Sequence, residues 1–145
     1  MISYEQDLYA WTLDNVALLR KRQFDKLDVD NLIEELEYMA RKDKKELVNR
    51  LAILLMHLLK WQFQAGRRTL SWQYTVKEQR RKVIRLLQES PSLRYELDLK
   101  LAEAYEDGVI KAVKETSLSP DTFPPTCPYT LEQALDDNFY PSFEA

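Results

Sequence analysis

The sequence predicts an all-α fold: an antiparallel four-helix bundle, then an extended proline-rich C-terminal strap and a short final helix. Three observations predict it. Two glycines in 145 residues are too few for a sheet protein, whose tight turns need positive backbone angles. Apolar side chains recur every three or four positions along four long stretches, which is the period of a helix face. After Ser117 the segment LSPDTFPPTCPYT holds four prolines, and no helix continues through such a run. The length suits one domain, 1–145, with the bundle over 1–117 and the strap and short helix over 118–145.

The first helix is expected to open at Ser3, because SYEQ fits a capping box in which Ser3 and Gln6 satisfy each other's amides. Tyr4, Leu8, Trp11, Leu18 and Leu19 share one face out to about Lys21. Asn15 lies inside that stripe and reads as an internal hydrogen-bonded amide that fixes register. The second helix opens near Asp28 or Asp30, where acids suit the N-terminal dipole. Leu32, Ile33, Leu36, Ala40, Leu47, Leu51, Leu54, Leu58 and Trp61 then keep a helical period to about Gln64. The polar interval ARKDKKE (40–46) has no proline or glycine, so it bends the helix at most. From Ile53 to Leu59 every side except His57 is apolar. Such a segment needs cover all round, either at the centre of the bundle or at a subunit contact.

Gly66 ends the second helix, and GRRTLS leads to Ser71 as the next cap. Trp72, Val76, Val83, Leu86 and Leu87 form the third stripe. Ser90 with Pro91 then starts the fourth helix, with proline at the first helical position, where a missing N–H costs nothing. On its inner face Ala104, Gly108 and Ala112 stand four apart and let a neighbouring helix come close. That closeness offsets the ~1 kcal/mol by which an interior glycine falls short of alanine. In the strap, Phe123 and Tyr129 are expected plugs. Thr130 with Gln133 caps a last short helix.

The composition narrows the function. The formal charge of −3 is ordinary, but its distribution is uneven: residues 67–93 carry seven bases against two acids, and 94–145 carry four against eleven. Cys127 is the lone cysteine, which excludes an internal disulfide and a thiolate metal cluster. No signal-peptide pattern opens the chain, and LAILLMHLL is much shorter than the ~20 residues of a membrane span. A cytoplasmic protein without membrane contact is the expectation.

Each candidate for chemistry also has a packing role. Di-iron bundles need two Glu-x-x-His pairs, and this chain has one histidine with Leu54 three residues before it. Zinc needs several His or Cys ligands, and a phosphate loop needs glycines the chain lacks. The sequence assigns no metal, no cofactor and no catalytic residue, and a protein without enzymatic activity is the expectation. His57 sits on the shoulder of its stripe as a half-buried, hydrogen-bonded side chain. Trp61 and Trp72 bracket the corner between the second and third helices, with Arg67 or Arg68 at the mouth of any pocket they wall. Lys77, Arg81 and Arg85, spaced by four, form a basic ridge that faces solvent, the acidic C-terminal region, or phosphates. Arg80 falls at the edge of the apolar face and is expected to be partly buried against a carboxylate, with Glu34 or Glu35 as candidates.

DLYAWTLDNVALLR (7–20), FDKLDVDNLIEELE (24–37), HLLKWQFQ (57–64), SW (71–72), EQRR (78–81), SPSL (90–93) and FPPTCPYTLEQALDDNFYP (123–141) follow the order and spacing of one family. Over nearly its whole length the chain resembles the bacterial family called domain of unknown function 29, common in cyanobacteria. The resemblance implies an all-helical, single-domain bacterial protein without an established activity, and supplies no catalytic residue. The matching segments single out Glu34, Glu35, His57, Lys60, Trp61, Trp72 and Arg80 as the candidate ligand or partner site.

The leading expectation is a small interaction or adaptor module without catalysis, binding a protein partner or a second copy through segment 53–59. One alternative is nucleic-acid binding through the basic third helix. The other is a hydrolase or small-ligand site around Glu35, His57, Lys60 and Arg80.

Overall fold

The four apolar-striped stretches are helices. The structure, a computed structural model, describes residues 3–142 and contains α1 (Leu8–Arg20), α2 (Val29–Phe63), α3 (Leu70–Glu89), α4 (Leu93–Thr116) and α5 (Leu131–Leu135), with no strand among those residues. The all-α class is as the periodicity predicts. None of these helices is long and apolar enough to cross a membrane. The fold divides into two compact units, Met1–Lys42 and Asp43–Ala145, and α2 contributes to each.

The first unit is a helical hairpin held by polar contacts. Trp11 and Asn15 are its buried side chains among the described residues. The Trp11 indole donates to Asp28 Oδ2 at 2.7 Å, the Tyr4 hydroxyl donates to Glu35 Oε1 at 2.5 Å, and the rings of Tyr4 and Trp11 meet edge to face. Asn15 is the internal amide its position predicts: Nδ2 donates to the Trp11 carbonyl and Oδ1 accepts from the Asp28 amide. The Asn31 amide and then the Trp11 indole, both donating to Asp28, hold its carboxyl below the usual range. The stripe read as core is less covered than its period suggests: Leu8, Leu19, Ile33 and Leu36 are exposed.

The second unit holds the large core. Leu47, Leu51, Leu54, Leu55, Leu58 and Leu59 of α2 are buried with Val76 and Val83 of α3 and Leu97, Ala104 and Ala112 of α4. Segment 53–59 is therefore covered by its own chain, at the centre rather than at a subunit contact. The small-residue face of α4 does what its spacing predicts. A Cβ on Gly108 would stand 3.0 Å from the Ala52 carbonyl oxygen and 3.4 Å from Leu55 Cβ, so two helices approach to backbone contact. Ser117 ends α4 with a φ of 59°. The strap then crosses α4 and α2: Phe123 and Tyr129 are buried, Tyr105 donates to the Pro124 carbonyl at 2.6 Å, and Tyr129 donates to Gln62 Oε1 at 2.6 Å. The Thr130–Gln133 capping box opens α5 as the sequence predicts.

Three helix starts differ from the sequence reading. At α1 the cap is Asp7, whose carboxylate accepts from the Ala10 amide at 2.9 Å, while Ser3 to Gln6 form a separate turn. A carboxylate is a stronger acceptor for the exposed amides than the predicted serine. At α3 the Thr69 hydroxyl caps the Trp72 amide, which puts Ser71 inside the first turn. At α4 residues 90–92 make a turn closed by the Leu93 amide on the Ser90 carbonyl, and the helix starts two residues later than Pro91 predicts.

Candidate functional site

The corner where α2 ends and α3 begins gathers most of the singled-out residues of the second unit. Gln64 to Arg68 turn the chain, with a short 3₁₀ turn over Ala65–Arg67 at Gly66. Lys60, in the last turn of α2, is 8 % exposed and pairs with Glu115 of α4 at 2.7 Å. Its ammonium lies 4.6 Å above the Trp72 ring, which adds an attraction to the indole's negative face. Lys60 is therefore held by a carboxylate and a ring together.

His57 lies one turn earlier. It is half-buried as predicted, but its Nδ1 is buried without a hydrogen-bond partner. Burial first, and the Lys60 charge second, push its basicity below the ordinary value, opposed by Glu115. The imidazole is accordingly neutral near pH 7 and suited to a structural position.

A second cluster is built on rings. Arg68 donates Nε to the Trp61 carbonyl at 2.7 Å and lies 4.9 Å over that indole. Trp61 packs on Tyr140 at 4.8 Å, and Tyr140 in turn faces the Arg80 guanidinium at 5.3 Å. Arg80 has no exposed surface, more buried than its edge position suggests. The carboxylate expected from Glu34 or Glu35 is not its partner: Nε donates to the Ala134 carbonyl at 2.7 Å and Nη2 to the Phe139 carbonyl at 2.6 Å. Helix-end and turn carbonyls replace a carboxylate because they carry partial negative charge at a lower desolvation cost. Glu34 is exposed in the first unit, and Glu35 is engaged there by Tyr4.

Spacing could not have found Glu115 or Tyr140. Glu115 ends a helix stripe far along the chain from Lys60, and Tyr140 belongs to an aromatic tail whose rings all look alike in sequence. Among the described residues no three His, Cys, Asp or Glu side chains group so as to hold an ion.

Two surfaces lie outside these clusters. On α3, Lys77, Arg81 and Arg85 are exposed and line a depression of about 410 Å³ with Tyr74. Lys82 beside them is tied to Glu78 at 2.7 Å, whereas Arg81 and Arg85 have no ion pair among the described residues. In the first unit, the hairpin exposes most of its apolar side chains, Tyr9 at 76 % and Leu36 at 63 %.

No curated protein and no solved structure matches this chain. A family model, described as Domain of unknown function DUF29, matches residues 3–140, nearly the full length, and the chain belongs to that family.

Proposed function

We propose that the protein is a non-catalytic, cytoplasmic interaction module whose docking element is the N-terminal helical hairpin. One observation carries this reading. Of sixteen exposed large apolar side chains among the described residues, eleven fall between Leu8 and Met39. Scattered exposed apolar residues are ordinary, but a concentration of this kind marks an association surface. The polar clusters of the second unit support the same reading, because Lys60 and Arg80 are occupied by Glu115 and by main-chain carbonyls.

The test is capture of cell protein on the intact chain and on a variant with Ile33→Ser and Leu36→Ser. A captured partner that is lost with the variant, while far-ultraviolet circular dichroism is unchanged, supports the hairpin as the docking element. Capture indifferent to the two substitutions overturns it.

A second reading, contact with a nucleic-acid backbone through α3, is favoured by Arg81 and Arg85, which are exposed and have no ion pair among the described residues. Binding to a mixed duplex should then weaken steeply with salt and vanish on charge reversal at both arginines. Absence of binding at low salt removes that reading.

A further inference from the structure

We infer that the basic ridge of α3, together with the recess beside it, is a site for single-stranded nucleic acid. Lys77, Arg81 and Arg85 hold phosphates of the strand, while one unpaired base stacks on Tyr74 and enters the recess. The inference rests on the α3 reading proposed above and names the class of nucleic acid.

The ridge follows from the helix period. At ~100° per residue, Tyr74, Lys77, Arg81 and Arg85 fall within about 80° around the α3 axis. All four are exposed, and Val76, Gln79 and Val83 are buried on the opposite side. Glu78, the acid at the edge of the ridge, is paired with Lys82 at 2.7 Å. Three positive charges thus stand in a row about 12 Å long, at ~1.5 Å per residue. A row of that length follows a strand, which carries one charge per nucleotide, and is too long for the one phosphate of a mononucleotide.

The recess supplies the other half. A cavity of about 420 Å³ opens where Gln73, Tyr74 and Lys77 of α3 face Asp137, Asn138 and Tyr140 of the C-terminal tail. It adjoins the depression along the ridge, and Tyr74 and Lys77 line both. Its volume is that of a small-ligand site, and its lining suits a base rather than a phosphate. The Asp137 carboxylate repels a phosphate but accepts from the exocyclic amine of adenine, cytosine or guanine. The amides of Gln73 and Asn138 donate and accept, as a base edge does. None of these three side chains makes a hydrogen bond or ion pair among the described residues, so each is available. Tyr74 stands 59 % exposed at the junction, with the Lys77 ammonium 5.9 Å from its ring centre. A base stacked on that ring brings its own phosphate beside a cation.

A duplex cannot fill this site. Its bases are stacked and paired, so none can lie on Tyr74 or turn a pairing edge to Asp137 and Asn138. Its backbone reaches only the ridge.

The experiment is fluorescence anisotropy of the full chain with labelled single strands of RNA and DNA, each about twelve nucleotides long, and with duplexes of the same length. Single strands should bind about tenfold tighter than the duplex at low salt. Their affinity should fall with a log–log salt slope of about −2, from three phosphate contacts at ~0.7 each. Tyr74→Ala should cost the single strand about tenfold and leave the duplex unchanged, and Tyr74→Phe should restore the loss. Arg81→Glu with Arg85→Glu should abolish binding of both, with circular dichroism unchanged. If strand and duplex bind alike, or Tyr74→Ala affects them alike, the inference falls while the α3 reading stands. A nucleoside monophosphate that displaces the strand at equal concentration also overturns it. If neither nucleic acid binds at low salt, or binding survives the charge reversal, both fall.

Discussion

Arg80 donates its Nε proton to the Ala134 carbonyl across 2.7 Å, so a guanidinium with no exposed surface ties α5 to α3. Its second bond reaches the Phe139 carbonyl, and its flat face lies under Tyr140. One side chain thereby fixes the whole C-terminal segment. Arg80→Met should cost about 2–4 kcal/mol, because it keeps most of the volume but strips partners from two carbonyls. Arg80→Lys should recover only part, since a single ammonium cannot reproduce the forked geometry. Urea unfolding measures both, and a loss below about 0.5 kcal/mol for the methionine variant would contradict the assignment.

His57 makes stability depend on pH. Burial and the nearby Lys60 hold its folded value below the ordinary 6.5. The unfolded chain therefore takes up a proton at a pH where the folded chain does not. Stability from this group is full above the ordinary value and is lost as pH falls below it. Thermal unfolding between pH 7.5 and 5 should show the decline, and His57→Gln should flatten it. An unchanged slope in the glutamine variant would place the dependence elsewhere.

Gly108→Ala tests the contact between α4 and α2. Helix propensity alone favours alanine by ~1 kcal/mol. The new methyl, however, would sit 3.0 Å from the Ala52 carbonyl oxygen, a backbone atom that moves only with its helix. A net loss of about 1–2 kcal/mol is expected, and Gly108→Leu should prevent folding of the second unit. A stabilised alanine variant would mean that the helices separate at little cost.

Cys127 should react slowly. Burial pushes its thiol upward and outweighs the lowering effect of the Tyr129 backbone, and the thiol itself donates to the Tyr129 carbonyl at 3.4 Å. Alkylation by iodoacetamide at pH 8 should run about tenfold or more below the rate of an unstructured thiol, and reach that rate in urea. Fast reaction in the folded protein would show that the strap opens readily.

The helices themselves were legible because burial has a period. Asn15, Gly108 and the Thr130–Gln133 box were legible too, since each acts on its own helix or needs only a small neighbour. Caps were placed less well: Ser3 and Ser71 have the right chemistry, but Asp7 and Thr69 stand closer to the first free amides. Arg80 shows a deeper limit. Its partners are main-chain carbonyls, which every residue carries, so no residue type announces them. Leu8, Ile33 and Leu36 show another, because a stripe tells which face is apolar and says nothing of what covers it.

The strap imposes an order on synthesis. Phe63 meets Phe123 edge to face across about sixty residues of chain. At 5–20 residues per second a ribosome needs roughly 3–12 s to pass from one to the other. Until Phe123 and Tyr129 are made, the last turn of α2 around Phe63 lacks the cover that the strap supplies, although α3 and α4 already bury the rest of its apolar side. The bundle of the second unit is therefore complete only once the proline-rich segment has been made and seated.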